Sequence, residues 1–252
     1  MAGPGHGVSR VVTTTRRARR GPADAGRLLV LSLRMVAGRR FWVAPLLPLI
    51  WPAFQILRLL LGWRPQGYTA EEAQNLLIAF PLVVLAIGLG VRIIAAEIDR
   101  RTLEIAYTVP GGAHKVWLAK LAATSLLLLA TELLLAAVAY AFCTAFPIVA
   151  TLYGAWQPAM FFLVLAMALS ALFRSEAAGA LVTAAVLALC WPLQQAGTRL
   201  SPFWNPAALT DADPSNLVAW TVQNRLGFLL LALALVVLAF GRAENREKLL
   251  GG

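Results

Sequence analysis

Of the 252 residues, 60% are hydrophobic and 13% charged, whereas soluble domains run about 45–50% apolar and about 25% charged. That imbalance excludes an ordinary soluble globule, and the strongly apolar composition excludes a disordered chain, which leaves an integral membrane protein. The 22 Lys and Arg against 12 Asp and Glu give a formal net charge of +10, so the placement of the basic residues has to say whether they serve nucleic acid, anionic lipid or topology.

Residues 1–24 are polar, Arg-rich and interrupted by Gly and Pro. They lack the apolar core of a secretory signal and read as a disordered cytosolic tail, with an organellar transit peptide as the alternative. From Ala25 to Arg40, the residues Leu28, Leu31, Met35 and Val36 recur at helical spacing, and Arg27, Arg34 and Arg39 mark a basic side. The pattern predicts an amphipathic helix lying in the membrane interface, or else a cytosolic extension of the first span. Six apolar stretches follow, at 41–61, 73–95, 116–142, 147–173, 177–196 and 220–241. Each is long enough to cross a hydrocarbon core of about 30 Å at about 1.5 Å per helical residue. The expected fold is therefore all-α, a six-span transmembrane domain over 41–241 with a short cytosolic tail at 242–252. The third and fourth spans divide at Phe146-Pro147, because proline disfavours helical geometry in the residue before it. Pro45, Pro48 and Pro52 predict a kinked first span whose freed carbonyls need neighbours. Thr69 with Glu72 predicts a capping box at the start of the second.

With the N-terminus in the cytosol, 18 of the 22 basic residues fall on the inner side and Arg64, Arg199 and Arg225 on the outer, while Arg58 lies within the first span. The positive-inside rule accounts for such a bias without nucleic acid, even for the cluster Arg16, Arg17, Arg19 and Arg20. Both termini are then cytosolic. Cys143 and Cys190 stand in apolar runs without a second Cys or His at ligand spacing, so neither a zinc site nor a disulfide framework is signalled. The histidines, His6 and His114, have no catalytic motif around them, and no P-loop is present. The expectation is a protein that is not an enzyme and binds no cofactor of its own.

The connection between the second and third spans is the most informative segment. It mixes Glu97, Asp99, Arg100, Arg101 and Glu104 with Ile98, Leu103, Ile105 and Val109, and ends at Pro110-Gly111-Gly112. A solvated loop does not need those apolar side chains. The mixture suits an amphipathic helix docked on a partner, with ion pairs around an apolar strip, and equally one lying on lipid.

The pattern carried by Glu97, Thr102, Leu103, Glu104 and Pro110, followed by Lys120 at the head of a span, resembles the permease subunit of type-2 ABC transporters. So do the tight turn within the stretch from Leu169 to Ala180 and the stretch from Ser201 to Trp204. The resemblance runs from about residue 25 to the tail, with one departure: Arg101 stands where the family usually has glycine. It implies two permease subunits per transporter and two cytosolic ATPases, which hold the ATP and Mg and dock on the segment 97–110. It also implies that the turn at Arg174 approaches the ATPase side, although Arg174 equally suits a positive-inside anchor. The resulting expectation is an exporter subunit in a bacterial inner (plasma) membrane, as a homodimer or heterodimer among membrane lipids. The alternatives are a secondary transporter coupling ions at Glu132 and a non-transporting scaffold.

Ionisable groups within spans are costly and count as functional candidates. Glu132 lies 12 residues beyond Lys120, about 18 Å along a helix. Arg58 lies 17 residues beyond Phe41, about 25 Å along the first span, so the two are close enough in depth for an ion pair that fixes packing or lines a path. The competing readings are snorkelling of Arg58 to the headgroups and a hydrogen bond from Glu132 to a neighbouring helix. In the Pro-rich outer loop 197–219, Phe203 and Trp204 suggest a headgroup belt, with a gate as the sharper alternative.

Overall fold

The computed structural model describes residues 22–99, 113–195, 200–204 and 214–244. Among these residues the protein is all helical. A first helix, α1 (Pro22–Ala37), precedes α2 (Phe41–Leu60), α3 (Ala70–Asp99), α4 (Ala113–Phe142), α5 (Ile148–Phe173), α6 (Glu176–Gln195) and α7 (Pro214–Glu244). Five of them, α2 to α5 and α7, are long and apolar enough to cross a membrane, whereas the apolar part of α6, Glu176–Cys190, is shorter. The chain is thus a multi-pass membrane protein by length and composition. The last span begins earlier than hydropathy suggested: α7 starts at Pro214, where the polar turn residues before Trp220 are already helical.

α1 is a separate helix, not an extension of α2. It stops at Gly38, whose φ of +83° takes the left-handed conformation open to glycine, and the Gly38 N–H bonds the Arg34 carbonyl at 3.0 Å. Val36 is buried, while Leu28, Leu31 and Met35 stay exposed, so the expected apolar strip is divided between protein and surroundings. Pro45 and Pro48, expected with Pro52 to kink the first span, lie in a 3-10 helix, Phe41–Leu49, and α-helical geometry begins at Ile50 and includes Pro52.

Proline also shapes α3. Residues Ala73–Ala79 form a π-helical segment in which the Phe80 N–H reaches back to the Asn75 carbonyl. The Leu76 carbonyl then has no backbone donor, because Phe80 is taken and Pro81 has no N–H. Trp51 on α2 supplies one, its indole N–H donating to Leu76 O at 2.9 Å.

The centre of the bundle is α5, which packs on α3, α4, α6 and α7. Small residues permit the approach. A Cβ at Gly90 would stand 3.0 Å from that of Ala166, and one at Gly179 would stand 2.5 Å from Ser170 Cα. Phe203 and Trp204 depart from the expected headgroup belt, since they are 1% and 4% exposed. Phe203 stacks toward Phe162 with centroids 6.0 Å apart, and the segment is held by Asn224, whose side-chain amide donates to Ser201 O at 3.1 Å. Hydropathy saw two aromatics among polar neighbours and missed that this segment folds back over the bundle end.

Candidate functional site

The end of the bundle bearing Glu97 and Arg174, inner by the basic-residue count, is tied together by charged groups. After Gly90, α3 tightens into i→i−3 turns, with Ile93 N bonded to Gly90 O at 3.2 Å and Glu97 N to Ile94 O at 3.1 Å. This shift leaves the Ile93 carbonyl without its usual i+4 donor. Lys120 on α4 takes its place, donating to Ile93 O at 3.3 Å and to Glu97 Oε1 at 2.5 Å. Trp117, one turn earlier on α4, donates its indole N–H to Glu97 Oε2 at 2.9 Å. The Lys120 side chain is 3% exposed and that of Glu97 14%. A pair so buried persists because further hydrogen bonds satisfy both ions.

A second tie runs from α3 to α6. Arg92 and Glu176 form an ion pair at 3.7 Å, and Asp99 accepts from the Glu176 backbone N–H at 3.3 Å. The carboxylate of Asp99 therefore lies at the N-terminus of α6, where exposed backbone N–H groups favour negative charge. The turn between α5 and α6 is made by Arg174, the one residue other than glycine with positive φ (55°) among the described residues. Ser175 then accepts a side-chain bond from Ala178 N at 3.4 Å, which caps α6.

The expected docking residues divide accordingly. Glu97 has both carboxylate oxygens engaged by α4, so it faces into the protein and does not stand free for a partner. Asp99 lies at the start of α6, bonded to the Glu176 N–H, and Arg174 makes the turn just before that helix. Arg100, Arg101, Thr102, Leu103, Glu104, Val109 and Pro110 lie outside the described residues. Trp117, Arg92 and Glu176 were not anticipated. Only the i, i+3 spacing of Trp117 and Lys120, which places both on one face of α4, hinted at the first.

The anticipated Arg58–Glu132 pair is not formed. Arg58 Nη1 donates to Gln55 Oε1 within its own helix at 3.2 Å, and its guanidinium lies 6.0 Å from the Phe54 ring. Glu132 is 1% exposed and neither carboxylate oxygen has a hydrogen-bond partner among the described residues. The depth comparison behind that pair assumed α-helical spacing throughout, whereas the 3-10 run Phe41–Leu49, at about 2.0 Å per residue, lengthens the first span by roughly 5 Å.

At the opposite end the ionic contacts are local to the hairpin of α2 and α3. Thr69 and Glu72 make the anticipated capping box, and Glu72 also pairs with Arg64 at 2.5 Å. That hydrogen bond holds the Arg64 guanidinium above its ordinary pKa, and Arg64 lies 4.1 Å over the Tyr68 ring. Burial pushes the Tyr68 phenol up, and its hydroxyl bonds Gln55 at 3.3 Å.

Among the described residues no group of three or more His, Cys, Asp and Glu is placed to hold a metal ion. Compared with protein-family models, curated proteins and solved structures, the chain matches none. The fold itself defines the class, an all-α multi-pass membrane protein.

Proposed function

We propose that this chain is the permease subunit of an ATP-driven ABC exporter. Six spans with both termini in the cytosol cross a bacterial inner membrane, α6 being the sixth crossing. A second permease subunit completes the path, and separate ATPase subunits holding ATP and Mg dock on the segment 97–110. The chain itself does no catalysis.

The observation that supports this most is the attachment of α3 just before that segment. Glu97 is bonded to α4 through Lys120 and Trp117, and Asp99 and Arg92 meet Glu176 of α6. A force applied beyond Asp99 therefore reaches three helices at once, because packed helices move as bodies and do not deform continuously. Rocking of the permease pair between inward and outward openings then follows from ATPase closure.

The test is purification of the full chain from its native membrane. A stoichiometric nucleotide-hydrolysing companion, whose hydrolysis rate rises on reconstitution with this chain, is the expected result. Ion-driven uptake by the lone chain in proteoliposomes would replace the reading with a secondary transporter. That second reading draws on Glu132, a buried carboxyl without a hydrogen-bond partner among the described residues, since such groups in spans mark ion and proton pathways. A companion that binds no nucleotide would point to a scaffold.

A further inference from the structure

The polar groups where α5 meets the outer half of α7 are not used by the transport reading. Gln157 on α5 donates to Asn224 on α7 at 3.0 Å, and Asn224 in turn holds Ser201. Beside this pair, Arg225 lies across Tyr153 with its guanidinium 4.8 Å from the ring centre. The ring contacts the face of the guanidinium and leaves its in-plane N–H groups unsatisfied. Nε and Nη1 are enclosed without an acceptor among the described residues. Arg58, Arg64, Arg92 and Lys120, by contrast, each have an acceptor in the protein. The Arg225 charge thus has no counter-ion among the described residues, and Nη2 is the nitrogen left open to the surroundings.

Depth says what those surroundings are. From Leu226 to Gly241 there is no ionisable residue, a length of about 24 Å on a helix, close to the hydrocarbon thickness. Arg225 caps this stretch on the side away from the charged network around Glu97, five residues inside the apolar stretch 220–241, where a long cationic side chain reaches toward the lipid headgroups. Tyr153 is 54% exposed beside it, and Leu229, one turn deeper on α7, is 55% exposed. A cation, a half-exposed phenol and an apolar flank below match an amphiphile with an anionic head and a hydrocarbon tail.

We propose that Arg225 and Tyr153 form a site for one anionic phospholipid of the outer leaflet, whose phosphate neutralises the guanidinium and whose acyl chain lies along Leu229. The inference needs the chain to span the membrane but not to work with an ATPase. It is tested by native mass spectrometry of the full chain released from micelles containing equimolar phosphatidylglycerol and phosphatidylcholine. One retained phosphatidylglycerol per chain is expected, and Arg225→Gln should lower its retention about tenfold, the loss of a charge-assisted bond. Tyr153→Leu, at an exposed ring, leaves the fold intact and should lower retention about threefold through loss of the ring contact. Equal retention of the two lipids, no retained lipid, or retention unmoved by the Tyr153 and Arg225 substitutions would each overturn the site.

Discussion

The charged groups around Glu97 and those of the α2–α3 hairpin at the opposite end use similar residues for different purposes. At the inner end, Glu97 bonds residues 20 and 23 positions away, and Asp99 bonds one 77 positions away, so three helices are joined. At the outer end, Arg64, Tyr68, Thr69 and Glu72 bond partners no more than 13 positions distant, so the same chemistry closes one hairpin. Long-range ties between helices couple the motion of whole elements, whereas local caps set only where an element begins. Burial separates them as well: the Lys120 side chain is 3% exposed, against 24% for Arg64 and 40% for Glu72.

The sharpest way to break the contrast is Lys120→Met. Removing one ion of a buried pair leaves the other uncompensated, at about 3–5 kcal/mol. A large fall in the thermal unfolding temperature in detergent is expected, partly restored when Glu97→Gln is added, since the two changes share one interaction. A double variant as unstable as the sum of its parts would show that the pair is not a unit.

Next in size is Trp51→Phe. The ring remains to pack on Phe80, whose centroid is 5.2 Å away, but the Leu76 carbonyl loses its donor, at about 1–2 kcal/mol. Amide exchange should then quicken around Ala73–Ala79 and leave α4 and α6 unaffected. Exchange quickening at the inner end instead would mean that the hairpin is not local.

The smallest effect belongs to Arg64→Gln. Its ion pair is partly exposed and solvent-screened, so the loss should stay below about 1 kcal/mol and shrink further at high salt. A shift as large as that of Lys120→Met would erase the distinction between the Glu97 network and the hairpin.

Much of this architecture was legible in the chain. The apolar stretches gave helices near their expected limits, Pro147 set the start of α5, and Thr69 with Glu72 capped α3, because length, proline and capping act through near neighbours. The candidate site was legible only in outline. Glu97 drew attention as a charge beside a span, but its partners depend on a local tightening of α3 that frees the Ile93 carbonyl, and no periodicity records that. Arg58 and Glu132 looked close enough in depth to pair under α-helical spacing, but the first span begins as a 3-10 helix and Arg58 bonds Gln55 of its own helix.

What the amino-acid order determined alone is that this protein lies in a membrane as a set of helices, since apolar length and charge placement are decided against lipid and water without reference to other segments. Tertiary structure decided which charges meet, that Phe203 and Trp204 turn inward, and that Arg225 has no counter-ion among the described residues. Those outcomes depend on angles and offsets of about an ångström between helices, and hydrogen bonds reach only about 3 Å, a distance that sequence separation does not encode.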